Sequence, residues 1–315
     1  MAKTFVTRLI LVWIAIMVLA ALIGDVSVAA TDVGRSAADF LMIGHGARAA
    51  ALGGAYTAMA SEATAAYWNP AGLSGIEGAE VTFGHYAWFQ DITVEQMSLG
   101  FPLGDKFSGA LSATYLNYGT IQGYDASGLP SDDITAYDLA GGISLAMVLT
   151  DRISVGLTGK YISQRLDDIT ASAFAGDVGL RFSAESFALG ATLVNLGSDM
   201  KFNQVSETLP TAARFGVMFR PFSDAVAASL DIEQRLHGDL YVRQGLELGF
   251  DERYFLRAGF DYLPAQDGRR LSTGISAGAG LRLSFAEFDY AFTPNDKSTS
   301  EDLHRFTVTF LFGSR

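Results

Sequence analysis

From about Ala79 onward, apolar residues alternate with small or polar residues along segments of roughly ten residues. In Ala225 to Arg235, for example, one face carries the apolar side chains Val226, Ala228, Leu230 and Ile232. Successive side chains of a β-strand point to opposite faces of the sheet. The period of two therefore predicts a succession of strands for this whole region.

We predict about fourteen strands, which begin near Ala79, Thr93, Phe107, Ile134, Ile153, Ala171, Phe187, Thr211, Ala225, Leu240, Tyr254, Leu271, Leu283 and Leu303. Every second connection is a short turn. The remaining set contains the long loops Gly119 to Asp133, Gly197 to Pro210, Pro264 to Arg270 and Pro294 to Asp302. Short periplasmic turns, longer outer loops and an even strand number are typical of transmembrane barrels.

The predicted fold class is therefore all-β, a transmembrane antiparallel up-and-down β-barrel over residues 79–315. A soluble β-sandwich alternates in the same way and is the main alternative. The barrel is favoured because the polar face mixes small residues with paired charges, as a lumen does. Aromatic residues also lie on the apolar face near strand ends, where a membrane-interface girdle belongs: Tyr115, Tyr137, Tyr161, Phe182, Phe187, Phe219, Phe250, Tyr254, Tyr262 and Phe292.

Residues 1–30 have the order of a secretory signal peptide. Lys3 and Arg8 precede an apolar run from Leu9 to Ile23, and small residues follow at Ser27, Ala29 and Ala30. No later run is long enough for a spanning helix. We therefore expect export to the outer membrane, with outer-membrane lipid as one partner.

The final strand, Leu303 to Phe312, places Phe306, Val308, Phe310 and Phe312 on one face. It resembles the C-terminal signal by which the barrel assembly machinery recognises its substrates, although three residues follow the last aromatic. The net charge of −12 argues against nucleic acid as a partner, because phosphate binding needs clustered Lys and Arg. The chain contains no Cys, which excludes disulfides and thiolate metal sites.

Residues 31–78 are rich in Ala and Gly and predict a small, partly helical plug. Helical stretches are expected at 47–59, weakened by Gly53 and Gly54, and around 62–67. A lumen of fourteen strands is too wide for wall side chains alone to fill. A mobile periplasmic tail is the alternative.

Charges of both signs fall on the predicted inner face: Arg181, Asp231, Glu233, Arg243, Glu247, Arg257, Glu287, Asp289 and Arg305, with Asp138, Lys160, Asp177, Arg214, Arg235 and Asp261. Mixed signs suit cross-strand ion pairs and plug anchoring, whereas a selective pore more often has a ring of one sign. A solute path is the minority interpretation.

We predict no catalytic residue, cofactor or metal. Gly274 to Gly278 matches a nucleophile elbow, but the strand-to-helix turn that this motif needs is missing. Ser276 with His304 is the one lipase-like pair worth testing. The run Gly44 to Ala49 imitates a dinucleotide fingerprint without the surrounding βαβ unit.

Three runs, Phe40 to Arg48, Leu52 to Ala60 and Ala66 to Leu73, resemble the N-terminal signature of the PorV/PorQ family, within the wider FadL-like barrels. The motif and plug residues are Gly53, Gly54, Asn69, Pro70, Ala71 and Gly72. The resemblance implies an outer-membrane partner that binds secreted cargo proteins for secretion or surface attachment, of the type IX kind, through the loops 119–133 and 197–210.

The alternative is a FadL-like channel for long-chain fatty acids or other hydrophobic molecules, with a plug-gated lumen and a lateral gap in the wall. A gap needs a kinked strand. Gly109 and Gly141–Gly142 are the candidates for such a kink.

Overall fold

A computed structural model describes residues 36–88, 92–125, 127–203, 205–221, 225–236, 238–263, 272–294 and 302–313. The predicted signal peptide lies outside the described residues. Fourteen strands form a closed barrel: β1 (Ala79–Ala87), β2 (Thr93–Pro102), β3 (Phe107–Ile121), β4 (Ile134–Thr150), β5 (Ile153–Leu166), β6 (Ile169–Ser183), β7 (Phe187–Gly197), β10 (Ala212–Phe219), β11 (Val226–Arg235), β12 (Leu240–Phe250), β13 (Tyr254–Leu263), β14 (Ser272–Arg282), β15 (Ala286–Thr293) and β16 (Leu303–Phe312).

Every neighbouring pair of barrel strands is antiparallel, and the last strand closes on the first. Ala79 pairs with Phe312, and the register continues to His85 opposite Phe306. The prediction of an all-β, fourteen-stranded barrel with a partly helical N-terminal segment is thereby confirmed. The largest difference in a strand start is at β15, which begins at Ala286 because Leu283 still belongs to a tight turn, donating its N–H to the Ala286 carbonyl at 2.7 Å.

The loop from 197 to 210 carries a small hairpin that the alternation did not predict. Its strands are β8 (Met200–Phe202) and β9 (Val205–Glu207). Three residues per strand are too few for a period of two to stand out from a polar loop. The hairpin lies on the outer side, between β7 and β10.

The outer wall of the barrel is apolar. Large side chains of the outward face are extensively exposed, among them Ile143 and Phe174 at 70% and Leu157 at 59%. An apolar band of this kind matches a hydrocarbon environment and not water. No helix within the described ranges is long and apolar enough to span a bilayer.

The N-terminal segment contains α1 (Ala47–Ala51), α2 (Ala65–Trp68) and 3₁₀ turns at Asp39–Met42 and Pro70–Gly75. The helix predicted over 47–59 is wrong beyond Ala51, because Gly53 and Gly54 take left-handed φ angles of +65° and +80°. The second 3₁₀ turn begins as the sequence favours. Asn69 is extended and accepts a hydrogen bond from Ala71 N at 3.2 Å, and Pro70 occupies the first position.

The proposed kink positions do not interrupt the wall. Gly109 and the Gly141–Gly142 pair lie inside a continuous register that joins Phe107–Asn117 to Met147–Tyr137. The described irregularities fall elsewhere, between Asn117 and Thr120 in β3, between Val148 and Thr150 in β4 and between Gly176 and Val178 in β6. Gly109 and Gly141–Gly142 were therefore the wrong candidates for a lateral gap.

Candidate functional site

Residues 36–78 pack against inward-facing residues of the barrel wall, and we call this segment the plug. At the outer end Ser36 makes a β-bridge with Thr208, and Ala37 N donates to the Thr208 carbonyl at 2.9 Å. At the other end the Asn69 amide donates to the Leu180 carbonyl at 3.1 Å, before the chain enters β1. The plug therefore runs from the end of the barrel with the long loops, which we call the outer end, to the end with the short turns, which we call the periplasmic rim after the predicted orientation.

Glycines of the wall let the plug backbone pack directly on the strands. A Cβ atom at Gly190 would lie 2.5 Å from the Thr57 carbonyl oxygen, and one at Gly259 would overlap Gly53 N. We call the inward-facing set the glycine belt: Gly156, Gly179, Gly190, Gly216, Gly245 and Gly259. Several members face each other across strands, as Gly245 does with Gly259. Only a residue without a side chain allows this close approach.

Ion pairs anchor the plug to the β12–β15 side of the wall. Arg48 of the plug contacts Glu247 through two hydrogen bonds of 2.8 and 2.9 Å. Glu247 also accepts from Arg257 Nε at 2.7 Å, and Arg257 reaches Asp289 at 2.5 Å. Glu287 of the same wall pairs with Arg282 at 2.8 Å. All of these carboxylates are buried. A buried charge is costly unless it is paired, and each of these carboxylates has an arginine partner.

A single carboxylate, Asp231, holds the middle of the plug. Its Oδ2 accepts backbone hydrogen bonds from Tyr56 N at 3.0 Å and Thr57 N at 2.7 Å. Nearer the outer side, Glu233 receives Arg214 at 2.7 Å and Arg243 at 2.9 Å. Arg181 is buried as well, but its Nε has no hydrogen-bond partner within the described chain.

The motif residues of the plug are structural contacts. Pro70 and Ala71 lie against Gly156 of the wall, and the Ala71 carbonyl accepts from Ser154 Oγ at 3.0 Å. Gly72 packs so closely on the Ala60 carbonyl that a Cβ atom would overlap it. The geometry supports a packing role for these residues and gives them no reacting group.

On the β1–β6 side, the wall carries apolar side chains in the outer half of the lumen, whereas the β12–β15 side carries ion pairs. Inward-facing apolar side chains form adjacent rows, since Val94 pairs with Leu116 in register and Ile162 pairs with Ala173. These and their neighbours form what we call the outer apolar pocket: Tyr86, Ile92, Val94, Leu116, Ala140, Ile162, Ala171, Ala173 and Met200. Residues 36–43 of the plug fill it, with Phe40 and Leu41 buried.

The alternation did not reveal the outer apolar pocket, because we assigned apolar residues to the lipid face and polar ones to the lumen. The signal was present as neighbouring large apolar residues, which place one side chain on each face. Tyr115 faces outward and Leu116 inward, and Tyr161 and Ile162 repeat the arrangement one hairpin later. Paired apolar neighbours in a barrel strand thus indicate an apolar lumen.

Cavities lie beside the plug in the described part of the lumen, and two of them are lined by charged residues. The inner one, of about 200 Å³, lies near the periplasmic rim and is lined by Arg48, Glu62, Glu80, Arg282 and Glu287 among others. The outer one, of about 160 Å³, lies between the plug and the β10–β16 side, and its lining includes Tyr67, Trp68, Arg214, Arg243 and Arg305. We call it the arginine cavity.

His45 of the plug is a neutral imidazole in this setting. Its ring stacks on Tyr67 with a centroid separation of 4.3 Å, and Nε2 lies 2.6 Å from Thr114 Oγ1. Burial, together with the positive charges of Lys160 and Arg214, lowers the pKa of His45 to about 3. The ring therefore stays uncharged throughout the neutral range.

The lipase-like pair is not assembled. Ser276 Oγ is buried and donates to the Ala51 carbonyl of the plug at 3.1 Å. His304 is exposed on the outer face, where Nδ1 lies 2.7 Å from Tyr290 Oη. Ser276 and His304 thus lie on opposite sides of the wall, and proton transfer between them is excluded.

Comparison with known proteins places the fold. The model of the uncharacterised protein family UPF0164 matches residues 17–130, a little over a third of the chain. No curated protein sequence matches. Among solved structures, the toluene transporter TbuX of Ralstonia pickettii is similar over 87% of this chain and 100% of its own, at 15% identity and a TM-score of 0.64.

Two further solved structures are similar to this chain over most of its length. The Pseudomonas putida toluene transporter TodX covers 90% of this chain and 99% of its own, with 13% identity and a TM-score of 0.63. A FadL homologue of Pseudomonas aeruginosa covers 90% and 100%, with 11% identity and a TM-score of 0.59. The chain therefore has the fold of FadL-like outer-membrane barrels.

Proposed function

We propose that this protein is an outer-membrane channel that admits small hydrophobic molecules through the outer apolar pocket. The observation that carries the proposal is the apolar lining of an otherwise charged lumen. Small or polar residues around the plug would be enough to hold it in place. The buried apolar side chains of Leu116, Ile162 and Met200 are therefore not needed for that purpose. An apolar, concave surface with few polar groups is typical of a ligand site.

The contents of the pocket support the same function. Phe40, Leu41 and Ile43 of the plug occupy it, and apolar side chains of that size mimic a small hydrophobic ligand. Four described hydrogen bonds attach the segment to the rest of the protein. Ala37 N donates to the Thr208 carbonyl and Ala38 N to the Gln164 amide oxygen at 2.9 Å, while the Leu41 carbonyl accepts from Tyr67 Oη at 3.0 Å and Met42 Sδ from Asn195 Nδ2 at 3.5 Å. Displacement of this segment would expose the pocket to a ligand arriving from outside.

The fold likeness points in the same direction. Two of the similar structures are described as toluene transporters and a third as a FadL homologue. At identities of 11–15% this supports the class of molecule, and the ligand of this chain is our proposal.

Uptake measurements test the proposal. Bacteria that produce the protein should accumulate radiolabelled toluene faster than bacteria that lack it. Met200→Gln, which places an amide in the pocket, should remove most of this gain. Val205→Gln is the matched control, because Val205 lies on the same hairpin and is 61% exposed. Equal accumulation with and without correctly inserted protein would contradict the proposal.

The PorV/PorQ-like function is a second candidate, and one observation favours it. The loops predicted to contact cargo carry exposed apolar tips at Tyr124, Leu129 and Val205, at 65%, 62% and 61%. Exposed apolar side chains on outer loops suit protein binding. This function predicts that Val205→Gln weakens surface display of secreted proteins while Met200→Gln does not. The same two variants thus separate the two candidates.

A further inference from the structure

Two arginines of the arginine cavity have guanidinium nitrogens without an acceptor. Arg214 is 4% exposed, and its Nη1 has no hydrogen-bond partner in the described part of the chain. Arg305 lines the same cavity, and its buried Nε likewise has no hydrogen-bond partner in the described part of the chain. A buried donor without an acceptor costs free energy, so two in one cavity indicate a missing anionic group.

Neighbouring carboxylates are already in use. Glu233 receives Arg214 at 2.7 Å, Arg235 at 3.2 Å and Arg243 at 2.9 Å, and Asp261 faces Arg243 from the next strand. The cavity lining therefore carries three guanidinium groups, those of Arg214, Arg243 and Arg305, against two carboxylates. The local excess of positive charge favours a negatively charged ligand. Arginine is also the residue best suited to bind a carboxylate, because its planar fork matches the two oxygens.

Aromatic and apolar side chains form another part of the lining, which also contains Asp261, Ser276 and Thr293. Tyr67, Trp68 and Met42 line the cavity, and the Arg214 guanidinium lies 5.3 Å from the Tyr67 ring centroid and 5.4 Å from that of Trp68. Such surfaces accept a flat aromatic ring. The volume of about 160 Å³ is close to the roughly 150 Å³ of a cavity that holds benzene.

We propose that the arginine cavity is a binding site for a compact aromatic carboxylate of about the size of benzoate, with its carboxylate between Arg214 and Arg305 and its ring against Trp68. This inference rests on the proposed function and adds small aromatic acids, bound in the arginine cavity, to the neutral hydrocarbons proposed for the outer apolar pocket. A long alkyl chain does not fit the volume, and a free phosphate would leave the aromatic walls without a partner.

Equilibrium dialysis of labelled benzoate against the full chain in lipid nanodiscs tests the site. We expect saturable binding that Arg305→Gln weakens by at least about tenfold, the effect of losing a hydrogen bond to a charged group. Arg282→Gln is the matched control, because Arg282 lines the inner cavity and pairs with Glu287. The Arg282→Gln variant should bind benzoate as tightly as the unmodified protein does.

Three results would overturn the inference: no saturable benzoate binding, equal binding by the Arg305→Gln variant, or displacement of bound labelled benzoate by dodecanoate at lower concentrations than by unlabelled benzoate. Toluene uptake, measured on the same proteins, keeps the two proposals apart. Toluene uptake without benzoate binding contradicts the aromatic acid site alone. If bacteria that produce the unmodified protein take up toluene no faster than bacteria that lack it, the proposed channel function itself is contradicted.

Discussion

The backbone nitrogen of Gly53 in the plug occupies the space that a Cβ atom at Gly259 of the wall would need. Two backbones therefore touch at this point with no side chain between them. The same relationship recurs around the glycine belt, so that the plug fits the wall at backbone distance. A change that displaces the plug from the glycine belt should consequently also lower the stability of the barrel.

Gly156 tests this relationship on a single strand. Gly156→Ala places a methyl group into the backbone of Pro70 and Ala71, and we expect the free energy of unfolding to fall by about 1–3 kcal/mol. Gly159→Ala on the same strand is the control, because a Cβ atom there meets nothing within 4 Å. Urea unfolding in detergent micelles measures both. Equal destabilisation by the two variants would show that the plug does not press on the wall.

Glu247 tests the ion pairs of the plug. Glu247→Gln leaves the guanidinium groups of Arg48 and Arg257 without their shared carboxylate, and we expect a loss of about 3–5 kcal/mol. Glu95→Gln removes the exposed pair with His85 and should cost less than about 1 kcal/mol. The comparison uses the same unfolding measurement. A loss at Glu247 no larger than at Glu95 would contradict the anchoring role.

His45 predicts a specific acid sensitivity. The unfolded chain binds a proton at a pKa of about 6.5, whereas burial lowers the folded value to about 3. Because the unfolded state binds more protons between these values, stability falls as the pH drops through this window. Between pH 7 and pH 5 the unmodified protein should lose about 2 kcal/mol more than the His45→Gln variant. Parallel pH profiles of the two proteins would contradict a neutral buried imidazole.

The strands of this barrel were predictable because the lipid face and the lumen impose a period of two on every segment. The outer apolar pocket was not, because Leu116 and Ile162 break the rule that lumen residues are polar. The plug helix was overextended because propensity alone does not show that Gly53 and Gly54 adopt left-handed angles. Contacts between Arg48 and Glu247, which are 199 residues apart in sequence, depend on the tertiary fold.

The central claim is that ligands pass where residues 36–43 now lie. The chain has no cysteine, so Ser36→Cys with Thr208→Cys would introduce its sole thiols, at two positions that are β-bridge partners. Oxidation would tie the outer end of the plug to the loop, and the single Thr208→Cys variant is the control. We predict that toluene uptake by cells with the oxidised double variant stops and that reduction restores it. Equal uptake in both redox states, with the disulfide shown to have formed, would contradict the account.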